Sequence, residues 1–158
     1  MQHTIFKILS FLLLPVLMGA GCQKEYLEED VLIPAEFYKF ADFGCEHHIW
    51  HLKMGHTNNY YIINSQEELE KYITTDCLPQ IDFSEYIIIL GSKSFAAGAS
   101  LLHEKVEANN EELVYTVTFL TDNSTVAAGA KYHIVVPMPY NKDIKVVEVI
   151  KDDNEHRR

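Results

Sequence analysis

Four of the eight histidines crowd into one short stretch, at His47, His48, His51 and His56, with Cys45 just before them. On an extended strand side chains alternate, so Cys45, His47 and His51 share one face while His48 and Trp50 take the other. Imidazole nitrogens projecting together are what a zinc or copper ion needs, at about 2.0–2.1 Å for zinc. One reading is a metal centre held by His47 and His51, with Cys45 or His56 as third ligand. The other is a polar strand face whose imidazoles titrate near neutrality. Cys45 has a rival partner in Cys77, and a Cys45–Cys77 disulfide would remove the thiolate from any metal set.

Other chemistry finds less support. No serine sits in a Gly-x-Ser-x-Gly context, and there is no glycine-rich phosphate loop, Cys-x-x-Cys pair or calcium-loop spacing. His103, Glu104 and Asp82 would form an acid–base set only if the fold gathered them. The expectation is a chain with no catalytic residues. A formal charge of −10, from 13 basic against 23 acidic side chains, excludes nucleic acid as a partner, since phosphate binding needs a basic patch.

The elements that position these residues are mostly strands. Residues 46–53 read as one strand, 60–63 as a second, and the Gly/Asn-containing stretch between them as the turn of a hairpin. Ser65 followed by Glu68 is a capping box, which predicts a helix from about Gln66 to no further than Thr75, with Leu69 and Tyr72 or Ile73 on its buried face. Strands are then expected over 86–90, 100–108, 113–121, 131–137 and 144–150. Asn109-Asn110-Glu111 is a tight turn between two of them, where Val106, Leu113, Tyr115 and Val117 keep an apolar period of two. Residues 31–44 fit a short helix as well as an irregular strand. The two Ala/Gly segments at 96–99 and 127–130 read as loop packing. Together these give an α+β domain, mostly antiparallel β, of about seven strands in a sandwich-like arrangement with one short helix after the second strand.

The first 22 residues carry Lys7, an apolar core too short to span a bilayer, and Gly19-Ala20-Gly21 directly before Cys22. This layout resembles the lipobox of bacterial lipoproteins, with Gly19 where leucine is usual. It implies cleavage after residue 21 and acyl chains on Cys22, each buried methylene adding about 0.8 kcal/mol of membrane affinity. The acidic run Gln23-Lys-Glu-Tyr-Leu-Glu-Glu-Asp30 reads as a solvated tether and resembles the surface-export signals of Bacteroidota-type lipoproteins. The expected layout is a signal peptide at 1–21, a lipidated cysteine with tether and lead-in at 22–44, one β-rich domain at 45–150 and a polar tail at 151–158. The expected address is the outer membrane, facing the periplasm or the cell surface.

The order of elements is similar to that of the PrcB-like C-terminal domain family, named after a subunit of a spirochaetal surface protease complex. The residues that carry the likeness are Ser65-Gln-Glu-Glu-Leu, then Pro79, Asp82, Phe83 and Ser84 leading into the strand at 86, Ala97-Gly98-Ala99 in place of the family's Gly-Gly-Tyr, and the Tyr132-His-Ile-Val-Val-Pro-Met-Pro strand. The likeness spans about residues 46–150. It implies a non-enzymatic lipoprotein that assembles or stabilises a partner at the envelope. An independent pointer to a protein partner is the supply of amphipathic aromatics: Trp50, Tyr60, Tyr61, Tyr72, Tyr132 and Tyr140 exceed what a small core needs, and Trp50, Tyr60 and Tyr140 are the candidate binding surface. The leading expectation is therefore a lipid-anchored, cofactor-free protein-binding subunit; the alternative is a small zinc- or copper-binding lipoprotein using His47, His51 and His56.

Overall fold

The run Tyr86-Ile-Ile-Ile-Leu90 decides the architecture. Ile87 and Ile89 point to one side of their strand, Ile88 and Leu90 to the other, and all four are buried, so the strand must be covered on both faces. At about 1.5–3 kcal/mol per buried aliphatic side chain, this short run is a main driver of the fold. The computed structural model describes residues 31–46, 50–53, 58–122, 124–139 and 141–152. In chain order the elements are β1 (Ile33–Pro34), a 3-10 turn (Phe40–Phe43), β2 (Trp50–Leu52), β3 (Tyr60–Ile63), α1 (Gln66–Tyr72), β4 (Ile73–Thr75), β5 (Tyr86–Phe95), β6 (Ala99–Ala108), β7 (Glu112–Thr121), β8 (Ala128–Pro137) and β9 (Asp143–Asp152).

Three sheets result: four strands in the order β1-β6-β7-β9, three in the order β3-β5-β8, and the ribbon β2-β4. The inner core joins the two larger sheets through Ile87, Ile89, Tyr132, Ile134 and Val136 on one side and Val106, Tyr115, Val117 and Phe119 on the other. A second core lies on the far face of the three-stranded sheet, where Ile63, Ile88, Leu90 and Val135 pack against Phe40, Cys45, Leu69, Ile73 and Ile81. The domain is thus α+β and sandwich-like, mostly antiparallel, with one short helix among the described residues. Its one long parallel pair, β7 with β9, arises because the chain leaves the four-stranded sheet, runs through β8 in the other sheet and returns.

Local signals account for most elements. Asn109 Oδ1 accepts from the backbone N–H of Glu111 (2.9 Å) and Glu112 (2.8 Å), closing the β6–β7 hairpin at the expected turn. Ser65 Oγ accepts from Glu68 N (3.2 Å) and starts α1 where the capping box predicts. The glutamate reaches one residue further back than expected, taking Asn64 N (3.1 Å). Asp82 Oδ1 accepts from both Ser84 N and Ser84 Oγ, which shapes the turn that launches β5. These bonds hold the Asp82 carboxyl below its usual range.

Two expectations are corrected. The hairpin between residues 46–53 and 60–63 does not form: β2 pairs with β4, and β3 pairs with β5. The physical reason is burial, because Ile63 gains full burial beside Ile88, a site that pairing with the short, partly exposed β2 would not provide. Second, residues 31–44 are part of the fold, not a lead-in. Ala35 N donates to Val106 O (2.9 Å), Tyr38 bridges to Val135, and Phe40 enters the outer core. Cys45 and Cys77 are joined in a disulfide with Cα atoms 5.7 Å apart, closing a loop of 32 residues over the outer core. Such a loop stabilises by about 3–4 kcal/mol in the chain-entropy model.

Candidate functional site

At the middle of the four-stranded sheet, Val117 lies in register between Glu104 on β6 and Glu148 on β9. Residues opposite one another share a face, so both carboxylates point inward with Val117, among apolar neighbours. Each is held by a lysine and a tyrosine. Glu104 accepts from Tyr115 OH (2.5 Å) and takes Lys39 Nζ on both oxygens (2.7 Å each). Glu148 accepts from Tyr132 OH (2.8 Å) and Lys93 Nζ (2.6 Å). The two tyrosine rings meet edge to face, 5.8 Å apart, so one polar-aromatic band crosses the sandwich from Lys39 to Lys93. Burial, with Glu104 beside it, pushes the Tyr115 hydroxyl far above its usual range; burial and the bond to Glu148 do the same for Tyr132. Both stay proton donors at any physiological pH.

The two ends of this band differ. At the first, Lys39 Nζ also donates to His133 O (2.5 Å), so its three hydrogens meet protein acceptors. Burial holds this ammonium below its usual pKa, with Glu104 pulling the other way. His133 completes that end. Its Nε2 accepts from Phe40 N (3.2 Å), its ring lies 4.0 Å from that of Phe40, and burial, Lys39 and Lys131 lower its pKa to about 3. At the second end the chain opens into a cleft of about 490 Å³, lined by Asn58, Asn59, Tyr60, Tyr61, Lys93, Val146 and Glu148. Tyr60, Gly91 and Tyr132 stand in one register row across β3, β5 and β8. A Cβ on Gly91 would come within 2.4 Å of the Tyr132 ring, so glycine lets Tyr132 reach across β5 to Glu148.

The residues singled out from sequence are scattered. Cys22, His47, His48, His56 and Tyr140 lie outside the described residues. Cys45 is engaged with Cys77 and is lost as a thiolate ligand; His51 is exposed on β2. Among the described residues, no group of three or more His, Cys, Asp or Glu side chains is arranged to hold a metal. His103 and Glu104 point to opposite faces of β6, and Asp82 serves its turn, so the acid–base set does not assemble. Trp50 is half-buried, edge-on to Phe40 and His133 with the Lys131 ammonium over its ring, and belongs to the outer core. Tyr132 is also core, whereas Tyr60, one of the expected surface residues, is exposed at the mouth of the cleft. Glu148 and Lys93 are the residues that sequence reasoning passed over, and Glu104 was weighed only as part of an acid–base set. Their signal was a glutamate in the apolar phase of a strand, as in Ile144, Val146, Glu148, Ile150 and in Glu104, Val106, Ala108.

No helix among the described residues is long and apolar enough to cross a membrane. No protein-family model, no curated protein and no solved structure matches the chain, so the likeness to the PrcB-like domain rests on the residues quoted for it.

Proposed function

We propose that the chain is a lipid-anchored envelope protein that binds another envelope protein as an assembly or stabilising subunit and does no chemistry of its own. The observation that supports this reading is a group of exposed apolar side chains at the end of the sandwich far from the anchor. The described chain begins beside the β6–β7 turn, where Ile33 pairs with Ala108. An anchor on Cys22 would therefore tether this end to the membrane. The opposite end exposes Leu101 (41%), Leu102 (49%), Val126 (71%) and Ile150 (53%), and it lies about 20 Å further along β6 at about 3.3 Å per residue. Single exposed apolar side chains are ordinary, and Val31 (65%) and Ile33 (63%) are exposed at the anchored end as well; the four at the far pole are the ones an anchored chain would leave open to a partner.

That pole is also pre-organised. Asp122 N donates to Gly98 O (3.0 Å) and Gly98 N to Ser124 Oγ (2.7 Å), which ties the β5–β6 and β7–β8 loops together. A Cβ on Gly98 would meet the Asp122 carboxylate at 2.5 Å, so glycine lets that side chain close over the loop. A rigid surface gives up less entropy on binding. The net charge of −10 suits a partner with an apolar patch and a basic rim. The test is co-purification of the lipidated chain from its native membrane after light crosslinking, with metal analysis of the same sample. A stoichiometric partner, lost on the substitution Val126→Glu at unchanged melting temperature, is expected. A solitary chain overturns the reading, and about one zinc or copper per solitary chain would transfer it to His47, His51 and His56.

A further inference from the structure

The cleft beside Tyr60 is lined by a different set of residues from the apolar pole and has its own chemistry. Its inner wall is the Lys93–Glu148 ion pair, backed by the Tyr132 hydroxyl. Side-chain exposure there is 27% for Lys93 and 18% for Glu148, so both are reachable yet partly shielded from water. Lys93 donates to Glu148 alone among the described residues, which leaves two ammonium hydrogens for a ligand. Glu148 accepts one bond on each oxygen and keeps a lone pair on each. At the mouth, Asn58 is locked in a left-handed conformation (φ 53°), and its Oδ1 takes Ser94 N at 2.6 Å. Among the described residues its NH₂ group meets no acceptor and remains as a donor. Tyr60, 43% exposed, supplies an apolar ring face with a polar tip.

The site therefore offers one aromatic platform, donors and acceptors of both kinds, and no net charge, since Lys93 and Glu148 cancel. An anion would meet the Glu148 carboxylate and a cation the Lys93 ammonium. A neutral polyhydroxylated ring meets neither penalty: its C–H face packs on Tyr60 while its hydroxyls donate to Glu148 and accept from Lys93 and Asn58. The geometry points to this cleft as a binding site for a neutral saccharide, a single ring or the end of a glycan chain.

The experiment uses the full chain in a detergent free of sugar head groups, applied to an array of neutral and acidic glycans, with titration calorimetry on the neutral glycan of strongest signal. Retention of neutral glycans is expected. Tyr60→Ala should weaken binding at least tenfold, and Glu148→Gln by a similar factor. Because Glu148→Gln also loosens the core, Tyr60→Ala, an exposed position, is the deciding variant, and its melting temperature should match that of the parent. No glycan bound above background, a preference for acidic glycans, or binding indifferent to Tyr60→Ala would each overturn the assignment. None of these outcomes bears on partner capture at the Leu101–Val126 pole, so the two proposals fail separately.

Discussion

Glu104 and Glu148 are the same residue type in the same register row, facing the same core, each with one tyrosine and one lysine, yet one end of the band is closed and the other open. Overall side-chain exposure does not separate them, since Lys39 is 33% exposed and Lys93 27%. Saturation does. The Lys39 ammonium gives all three hydrogens to protein oxygens and is desolvated. Lys93 gives one, and Tyr60 and Asn58 stand beside it around a cleft. Closing a polar cluster makes it part of the scaffold; leaving donors unused makes it a site.

The largest expected difference follows from that contrast. Glu104→Gln leaves the desolvated Lys39 ammonium without its counter-charge and should cost about 3 kcal/mol, the range for breaking a buried pair. Glu148→Gln leaves a lysine that can turn to water and should cost about 1 kcal/mol. Urea midpoints of the two variants and the parent measure both, and equal losses would erase the distinction between the ends. Next in size is Gly91→Ala, which drives a methyl group into the Tyr132 ring. Overpacking of this kind costs about 1–3 kcal/mol. It should also reduce saccharide binding, because Tyr132 can no longer fix Glu148, while leaving the Tyr115–Glu104 bond intact. Loss of binding with no loss of stability would show that the ring moves aside freely.

Local chemistry was legible in the sequence and long-range pairing was not. The Ser65/Glu68 cap, the Asn109 turn and the doubly buried Ile87–Leu90 run each act over a few residues, and each is found where its pattern put it. Strands β1 and β4, of two and three residues, carry too little periodicity to be seen. The partner of β2 could not be read from adjacency, because burial of Ile63 against β5 outweighed the nearer hairpin. The candidate site was hidden for a related reason. Aromatic and histidine counts drew attention to Trp50 and the His47–His56 stretch, whereas the cleft depends on Glu148 and Lys93, 55 residues apart, meeting across the sandwich. A charged residue in the apolar phase of a strand was the available sign, and it needs the opposite sheet to give it meaning.

The smallest effect expected concerns the closed end alone and depends on pH. His133 accepts from Phe40 N through Nε2, so it is neutral in the folded protein, and protonation would break that bond and add a third cation beside Lys39 and Lys131. Its pKa is lowered to about 3 from the unfolded value near 6.5. Above pH 6.5 neither state binds the proton, and stability is unaffected. Between about 6.5 and 3 the unfolded chain binds it and the folded one does not, so stability falls as pH falls, by at most about 1.4 kcal/mol per unit. From pH 6.5 to 5.5 the loss works out at about 1 kcal/mol. His133→Gln keeps an acceptor for Phe40 N but cannot titrate, and its stability should be flatter than the parent's over that interval. Glu148→Gln should keep the parent's slope, because none of the described residues that line the open end is a histidine; a flattened slope there would mean that the two ends titrate as one unit through the Tyr115–Tyr132 contact.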